Sequence, residues 1–144
     1  MGCRADPLQH SLLLDSQVLL WWWVDPGQLS CRAKELLQDP SQRLLVSSAS
    51  LWEISEAIRN GGLEHLQPVL WQLPQLLAAD GFELLPLQAS HALEAGQLPA
   101  PLNPVCRLLI AQVRLEGIRL ITEDWRLREA VKRSGVLPAE ALIW

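Results

Sequence analysis

One acidic residue, Asp15, lies inside a largely apolar stretch that runs from Leu12 to Trp23. A carboxylate buried among such side chains is costly without a partner, so Asp15 is expected either to hold a proton or to face a cation. Leu12–Leu14 precede it as a short continuous apolar run, which is typical of a strand buried on both faces. Asp15 therefore stands at the end of a predicted buried strand.

Acidic residues also follow two other predicted strands. Glu123 and Asp124 come directly after the predicted strand at residues 118–122, and Glu53 lies in the helix after the predicted strand at residues 44–47. In open α/β sheets, ligands bind beyond the carboxyl ends of the strands, which share one edge when the strands are parallel. The sequence therefore predicts that Asp15, Glu53 and Asp124 meet at this edge.

Carboxylates gathered in this way predict a metal site. Like charges in a common site raise one another's pKa unless a cation is present. Mg²⁺ and Mn²⁺ favour carboxylate oxygens and retain water molecules that can contact phosphates. An ion held in this way activates water and stabilises the charge of a phosphodiester during cleavage. Asp15, Glu53 and Asp124 are therefore candidate ligands of a catalytic metal ion.

Each acid also has a structural interpretation, which stays open at this point. Asp124 suits the N-cap of the last predicted helix, and Glu53 lies near a helix start, where the helix dipole favours a negative charge. Ser48 or Ser50 is predicted to cap the helix that carries Glu53. The three histidines show no metal-ligand spacing and are predicted to lie at the surface: His10, His65 and His91.

The whole chain alternates predicted strands and helices. Strands are predicted at residues 12–14, 44–47, 82–87 and 118–122, with a last short strand within residues 136–144. Helices are predicted at residues 18–24, 30–37, 48–60, 66–79 with Pro74 as a kink or break, 90–98, 103–117 and 124–134. This alternation predicts an α/β fold with a parallel sheet covered by helices on both faces.

The composition predicts one globular domain at residues 11–144 after a loose N-terminal extension at residues 1–10. Of the 144 residues, 49% are apolar and 19% are charged, which is not the composition of a disordered chain. The net charge of −4 and the lack of a basic block argue against a general DNA-binding protein, but not against an enzyme with local nucleic-acid contacts.

The three cysteines lack zinc-site spacing and predict a reducing, cytoplasmic setting. The apolar segment at residues 12–24 is too short for a membrane span, so no membrane association is expected.

Four segments carry a resemblance to a known family, in this order: LLLDSQVLLWWW, VSSASLWEISEAIRNGGL, FELLPLQASHALEAGQLP and NPVCRLLIAQVRLEGIRLITED. Together they resemble PIN-domain proteins of the bacterial VapC toxin type, over nearly the whole chain from Leu12 onward. The resemblance implies a three-layer α/β/α sandwich around a central parallel sheet and Mg²⁺- or Mn²⁺-dependent cleavage of RNA. It also implies a small co-encoded antitoxin protein that inactivates the toxin, and a homodimer.

The resemblance further implies roles for individual residues. The first catalytic acid of the family corresponds to Asp15, which is expected to bind the metal most directly. Glu53, in the LWE motif, and Asp124, after the last core strand, are expected to complete the site directly or through water. Ser16 takes the place of a small hydroxyl residue that contacts the site.

The chain departs from the family pattern at one acid. The family usually has D-P-F-D-R before LLIAQ, whereas this chain has NPVCR, so Cys106 replaces a catalytic Asp and Asn103 replaces the first Asp. Gln17 also replaces a common His. An unperturbed thiol titrates at about 8.5, so it stays mostly neutral at pH 7, and it is a soft ligand that suits Mg²⁺ poorly. Weakened, Mn²⁺-favoured activity is therefore expected.

Three neighbouring residues bear on whether this loss is compensated. Asn103 can supply a carbonyl oxygen, although capping the following helix suits it better. Glu56 shares a similar helix face with Glu53. Glu123 is adjacent to Asp124, but neighbouring strand residues point in opposite directions.

Two other functions compete with the nuclease. A catalytically degenerate PIN module would act by binding a protein partner or RNA. A phosphotransfer domain built on Asp15, as in haloacid-dehalogenase-like or receiver folds, also places an Asp after the first strand. The haloacid-dehalogenase-like fold requires a second Asp where this chain has Gln17. Both folds also require a suitably placed lysine, for which only Lys34 and Lys132 are available.

Overall fold

A five-stranded parallel sheet forms the centre of the protein. The computed structural model describes residues 11–99 and 102–144, so the predicted extension at residues 1–10 lies outside the described residues. The strands are β1 (Ser11–Leu14), β2 (Arg43–Ser47), β3 (Glu83–Leu85), β4 (Arg119–Ile121) and β5 (Leu142–Ile143). Their order across the sheet is β3-β2-β1-β4-β5, and every neighbouring pair is parallel. The predicted α/β class is confirmed.

Seven α-helices within the described ranges connect these strands. They are α1 (Ser16–Val24), α2 (Cys31–Gln38), α3 (Ser48–Arg59), α4 (Leu73–Ala79), α5 (Ala89–Gln97), α6 (Pro104–Glu116) and α7 (Trp125–Ser134). None of the helices in this part of the chain is long and apolar enough to cross a membrane.

The sheet is covered on both faces because alternate strand residues point to opposite sides. In β1, Leu13 packs into one core cluster, together with buried residues of α5, α6 and α7. Its neighbours Leu12 and Leu14 pack into a second cluster with buried residues of α1, α2, α3 and α4. The two clusters and the sheet between them give the predicted three-layer arrangement.

The strand order creates a crevice at the middle of the sheet. From β1 the chain proceeds to β2 on one side, and it later returns to β4 on the other side of β1. Such a reversal opens a ligand crevice beyond the carboxyl ends of the two central strands. Asp15 follows β1, and Thr122 to Asp124 follow β4, so the fold brings these residues to the crevice.

One predicted helix cap is wrong. The cap of α3 is Ser47, whose Oγ accepts a hydrogen bond from the Ala49 N–H at 3.0 Å. Neither Ser48 nor Ser50 has this role, because β2 passes into α3 without a loop and the last strand residue becomes the N-cap.

The predicted helix at residues 66–79 is divided into two segments. A 3₁₀ helix at Glu64–Gln72 comes first, and α4 begins at Leu73 with Pro74 in its first turn. Proline lacks the N–H that a helix interior needs, whereas the first turn leaves that group without an internal partner in any case. The break expected at Pro74 is therefore a helix start.

Candidate active site

Asp15 lies at the junction of the two central strands. It caps α1, where its Oδ1 accepts a hydrogen bond from the Ser16 N–H at 2.7 Å. Its Oδ2 accepts a hydrogen bond from the Thr122 hydroxyl at 2.7 Å, and its own N–H donates to the Ile121 carbonyl at 3.0 Å. These contacts fix the carboxylate at the carboxyl ends of β1 and β4.

Burial raises the pKa of Asp15 above its ordinary value of 3.8. The hydrogen bonds from Thr122 and Ser16 oppose this shift, and the nearby carboxylates of Glu53 and Asp124 add to it. The side chain is 9% exposed, so water screens little of this repulsion. As predicted, Asp15 is a buried acid that faces other acids.

Glu53 and Asp124 reach the same cleft from two different helices. Glu53 lies in α3, and Asp124 precedes α7. The Asp124 Oδ1 accepts hydrogen bonds from the N–H groups of Arg126 at 2.9 Å and Leu127 at 3.2 Å, so it is the N-cap of α7. The capping interpretation of Asp124 and its location at the cleft are therefore both correct.

Thr122 and Glu123 directly follow β4, and the sequence arguments did not consider Thr122 and spoke against Glu123. The buried Thr122 hydroxyl donates to Asp15 and accepts a hydrogen bond from the Asp124 N–H at 3.1 Å, so it links the two acids. Glu123 lines the cleft, and burial followed by the charges of Asp15 and Asp124 raises its pKa, while Arg128 lowers it. The argument against Glu123 was that neighbouring residues on a strand point in opposite directions. That rule does not apply here, because β4 ends at Ile121 and Glu123 lies beyond it.

The hydroxyl of Ser16 also lies at the cleft, as predicted. Its Oγ is buried and has no hydrogen-bond partner among the described residues. Buried polar atoms are normally paired, so this hydroxyl is available to a water molecule or a ligand.

Asn103 and Cys106 form another wall of the cleft, at the start of α6. The Asn103 Oδ1 accepts a hydrogen bond from the Cys106 N–H at 2.9 Å, so the predicted capping role is confirmed. Burial, followed by the charges of Asp15, Asp124 and Glu53, raises the pKa of the Cys106 thiol to about 12. The thiol is therefore neutral at physiological pH.

One cleft of about 260 Å³ is lined by the acids Asp15, Glu53, Glu123 and Asp124 together with Ser16, Asn103 and Cys106. Within residues 11–99 and 102–144, however, no group of three or more Asp, Glu, His or Cys side chains is arranged closely enough to hold a metal ion. The charges of Glu53 and Asp124 thus contribute to the raised pKa of Asp15, but the acids do not form a closed ligand shell.

Two residues weighed from the sequence lie elsewhere. Glu56 lines two neighbouring clefts beside Trp52, one of which Glu53 also lines, but it does not line the cleft of Asp15. His91, predicted at the surface, is 1% exposed; its Nδ1 accepts from the Gln88 N–H at 3.0 Å and its Nε2 lies 2.8 Å from a Glu116 oxygen. These polar partners allow its burial. His65 is exposed as predicted, and His10 lies outside the described residues.

Comparison with solved structures supports the architecture. VapBC2 from Rickettsia felis, solved with a DNA fragment from the promoter, matches with a TM-score of 0.64 and 14% identity, over 92% of this chain and 97% of that chain. A toxin–antitoxin complex from Klebsiella pneumoniae matches with a TM-score of 0.58 and 15% identity, over 92% and 96% of the respective chains. At these identities the similarity concerns the fold.

Comparison of sequences shows the family. Ribonuclease VapC22 from Mycobacterium tuberculosis (strain ATCC 25618 / H37Rv) is 33% identical over 120 residues, which cover 82% of this chain and 90% of that protein. The family model of the PIN domain matches residues 12–133. With most of its length matched in both comparisons, the chain belongs to the PIN-domain family.

Proposed function

We propose that the protein is a divalent-metal-dependent ribonuclease that hydrolyses phosphodiester bonds of RNA. The observation that carries this proposal is the buried Asp15, which faces Glu53, Glu123 and Asp124 at the central crevice of a PIN fold. The related Ribonuclease VapC22 supports the choice of RNA as substrate.

The donor set of the cleft fits a hard divalent cation. Carboxylate oxygens are the ligands that Mg²⁺ and Mn²⁺ prefer, and a cation relieves the repulsion that contributes to the raised pKa of Asp15. Mg²⁺ is usually held by one or two carboxylates and several water molecules, so an open arrangement without three converging ligands suits it. Asp15 would hold the ion directly, and Glu53 and Asp124 would hold it directly or through water.

When bound, such an ion supplies activation of water and stabilisation of phosphate charge. The chain's own residues position it and its substrate. The Thr122 hydroxyl and the Ser16 N–H fix the orientation of the Asp15 carboxylate, and the unpaired Ser16 hydroxyl offers a hydrogen bond to a water molecule or a phosphate oxygen.

Cys106 makes this a weakened nuclease in our proposal. A neutral thiol neither adds charge to the site nor suits Mg²⁺, so we expect lower activity than a site with a fourth acid, and a preference for Mn²⁺. The same observation favours the second candidate, a catalytically degenerate PIN module that acts by binding RNA or a protein partner.

We also propose that the protein is the toxin of a toxin–antitoxin pair, with a small antitoxin protein as partner and a homodimeric state. The solved neighbours from Rickettsia felis and Klebsiella pneumoniae, which are toxin–antitoxin complexes, support the antitoxin partner. The homodimer rests on the resemblance to VapC toxins and is checked by the molar mass of the purified protein in solution.

Cleavage of RNA by purified protein tests the nuclease proposal. The wild-type chain is expected to cut a structured RNA in Mn²⁺ and to be inactive in EDTA, while Asp15→Asn is inactive in both. Asp25→Asn, which changes an exposed acid outside the cleft, is the matched control and should cut as the wild type does. Absence of cleavage by the wild type, together with retained RNA or partner binding, would establish the degenerate module instead.

A further inference from the structure

A second, larger cleft adjoins the acidic cleft. Its volume is about 780 Å³, which is in the range of sites for nucleotide-sized ligands. Asn103, Cys106 and Asp124 line both clefts, so the two clefts are adjacent. A ligand that crosses the acidic cleft can therefore extend into the larger one.

The far wall of this larger cleft is α7, which is locally basic in an acidic protein. Of the chain's twelve Lys and Arg residues, α7 carries four, against a single acid, Glu129: Arg126, Arg128, Lys132 and Arg133. Arg126 and Arg133 line the cleft, as does Glu129. Neither arginine forms a salt bridge within the described part of the chain, so both guanidinium groups are available to an anionic ligand.

An exposed aromatic ring lies at the same wall. Trp125 is 62% exposed although it begins α7 beside the site acid Asp124. The Arg126 guanidinium lies over its ring, 5.5 Å from the centroid, which is cation–π distance. Aromatic rings flanked by arginines are the surfaces on which single-stranded nucleic acids stack their bases.

A third cleft, which Asn103 also lines, has the wrong charge for this ligand. It is lined by Trp52 together with Glu53 and Glu56, and none of the described residues that line it is basic. Phosphates are therefore expected on the α7 side rather than on this side.

We propose that the α7 cleft is a binding subsite for the nucleotides of single-stranded RNA that flank the scissile phosphodiester, in which Trp125 stacks on a base and Arg126 and Arg133 contact phosphates. This inference rests on the proposed ribonuclease function, and it assigns the side of the acidic cleft on which the substrate is held. Arginines contacting phosphates and aromatic stacking are the two contributions that bind single strands with little sequence preference.

Equilibrium binding without catalysis tests this subsite. Fluorescence anisotropy of a labelled single-stranded RNA oligonucleotide, in EDTA, gives the Kd without hydrolysis. Trp125→Ala is expected to raise the Kd roughly fivefold or more, the loss typical of one stacked base. Arg126→Ala and Arg133→Ala should each raise the Kd and reduce the slope of log K against log salt by about 0.7, whereas Trp125→Ala leaves that slope unchanged.

Two variants serve as matched controls. Trp71→Ala removes a tryptophan that is 85% exposed and lies outside both clefts, and Lys132→Ala removes a charge from α7 outside the cleft. Both should bind RNA as the wild type does. Circular dichroism and thermal unfolding establish that the five variants remain folded.

The outcomes separate this inference from the nuclease proposal. Wild-type affinity in Trp125→Ala and in both arginine variants, or equal losses in the two controls, would overturn the subsite. Absence of RNA binding by the wild type in EDTA would overturn it as well, and cleavage in Mn²⁺ would then still stand on its own. The same oligonucleotide as DNA determines whether the subsite distinguishes the sugar; a preference for DNA would contradict RNA as its ligand.

Discussion

Asp15 combines two short hydrogen bonds with an unfavourable charge environment. Its oxygens accept hydrogen bonds from the Ser16 N–H and the Thr122 hydroxyl at 2.7 Å each, yet burial and the neighbouring acids keep its pKa above 3.8. Ionisation of Asp15 therefore costs folding free energy, which is the condition under which a carboxylate gains most from binding a cation.

Stability measured against pH exposes this cost. As the pH rises through 3.8, the unfolded chain loses the Asp15 proton before the folded protein does. The folded state then binds more protons than the unfolded state, so the free energy of unfolding falls until the pH exceeds the raised pKa of Asp15. Asp15→Asn removes this titration. The free energy of unfolding of Asp15→Asn minus that of the wild type should therefore increase between about pH 3 and pH 7 in metal-free buffer.

Urea unfolding at a series of pH values gives this difference. Asp25→Asn, which removes one exposed carboxylate outside the cleft, is the matched control. A difference for Asp15→Asn that stays constant or shrinks toward pH 7 would show that the pKa of Asp15 is not raised.

Cys106 is the residue at which a single change should strengthen the site. Cys106→Asp places a carboxylate beside Asp15 and Asp124, and metal affinity rises with the number of charged ligands. We expect Mn²⁺ to bind at least roughly tenfold more tightly and RNA cleavage to increase. Cys106→Ser, which stays neutral, is the control. Cleavage by Cys106→Asp no faster than by the wild type would count against the proposal that the missing acid weakens the nuclease.

At the scale of the elements, Asp124 caps α7 and has a proposed second role as a metal ligand, and substitution can separate the two roles. Asn caps helices about as well as Asp, so Asp124→Asn should keep α7 stable while removing the charge. Asp124→Ala loses the cap as well and should lower the free energy of unfolding by about 1 kcal/mol more than Asp124→Asn does.

The two variants are compared by urea unfolding and by RNA cleavage in Mn²⁺. Both are expected to cleave poorly, although only Asp124→Ala is destabilised. Cleavage by Asp124→Asn at the wild-type rate would show that Asp124 acts only as a helix cap.

The elements were largely predictable because their signals are local. Apolar runs defined the strands, and the capping residue Asn103 marked a helix start that the structure confirms. Ser47 was missed as a cap because it belongs to the strand and the helix start at once. Contacts between distant residues were not predictable in this way: Thr122 reaches Asp15 across 107 positions of sequence, and His91 reaches Glu116 across 25.

At the scale of the whole molecule, the sheet order explains why distant acids share one cleft. The reversal at β1 places the ends of β1 and β4 side by side, and α3 and α6 close the cleft with Glu53 and Cys106. The alternation of strands and helices alone predicts that the acids share one edge of the sheet. The distances between the acids could not be predicted, because the packing of the helices sets them.

Expression in a bacterial host tests the proposed toxin role of the whole molecule. Induction of the wild-type chain should arrest growth, because cleavage of cellular RNA stops protein synthesis, whereas Asp15→Asn should not. Co-expression of a small protein encoded next to this chain should restore growth. The growth rate after induction is the measurement, with equal protein levels confirmed for both chains. Equal arrest by Asp15→Asn would show that toxicity does not depend on the acidic cleft.

Calorimetric titration of Mn²⁺ into the metal-free protein tests the central claim most directly, namely that acids from distant parts of the chain share one divalent ion. We predict one ion per chain for the wild type, no measurable binding for Asp15→Asn, and weakened binding for Glu53→Gln and Asp124→Asn. Absence of Mn²⁺ binding by the wild type, or unchanged binding by all three variants, would contradict the claim.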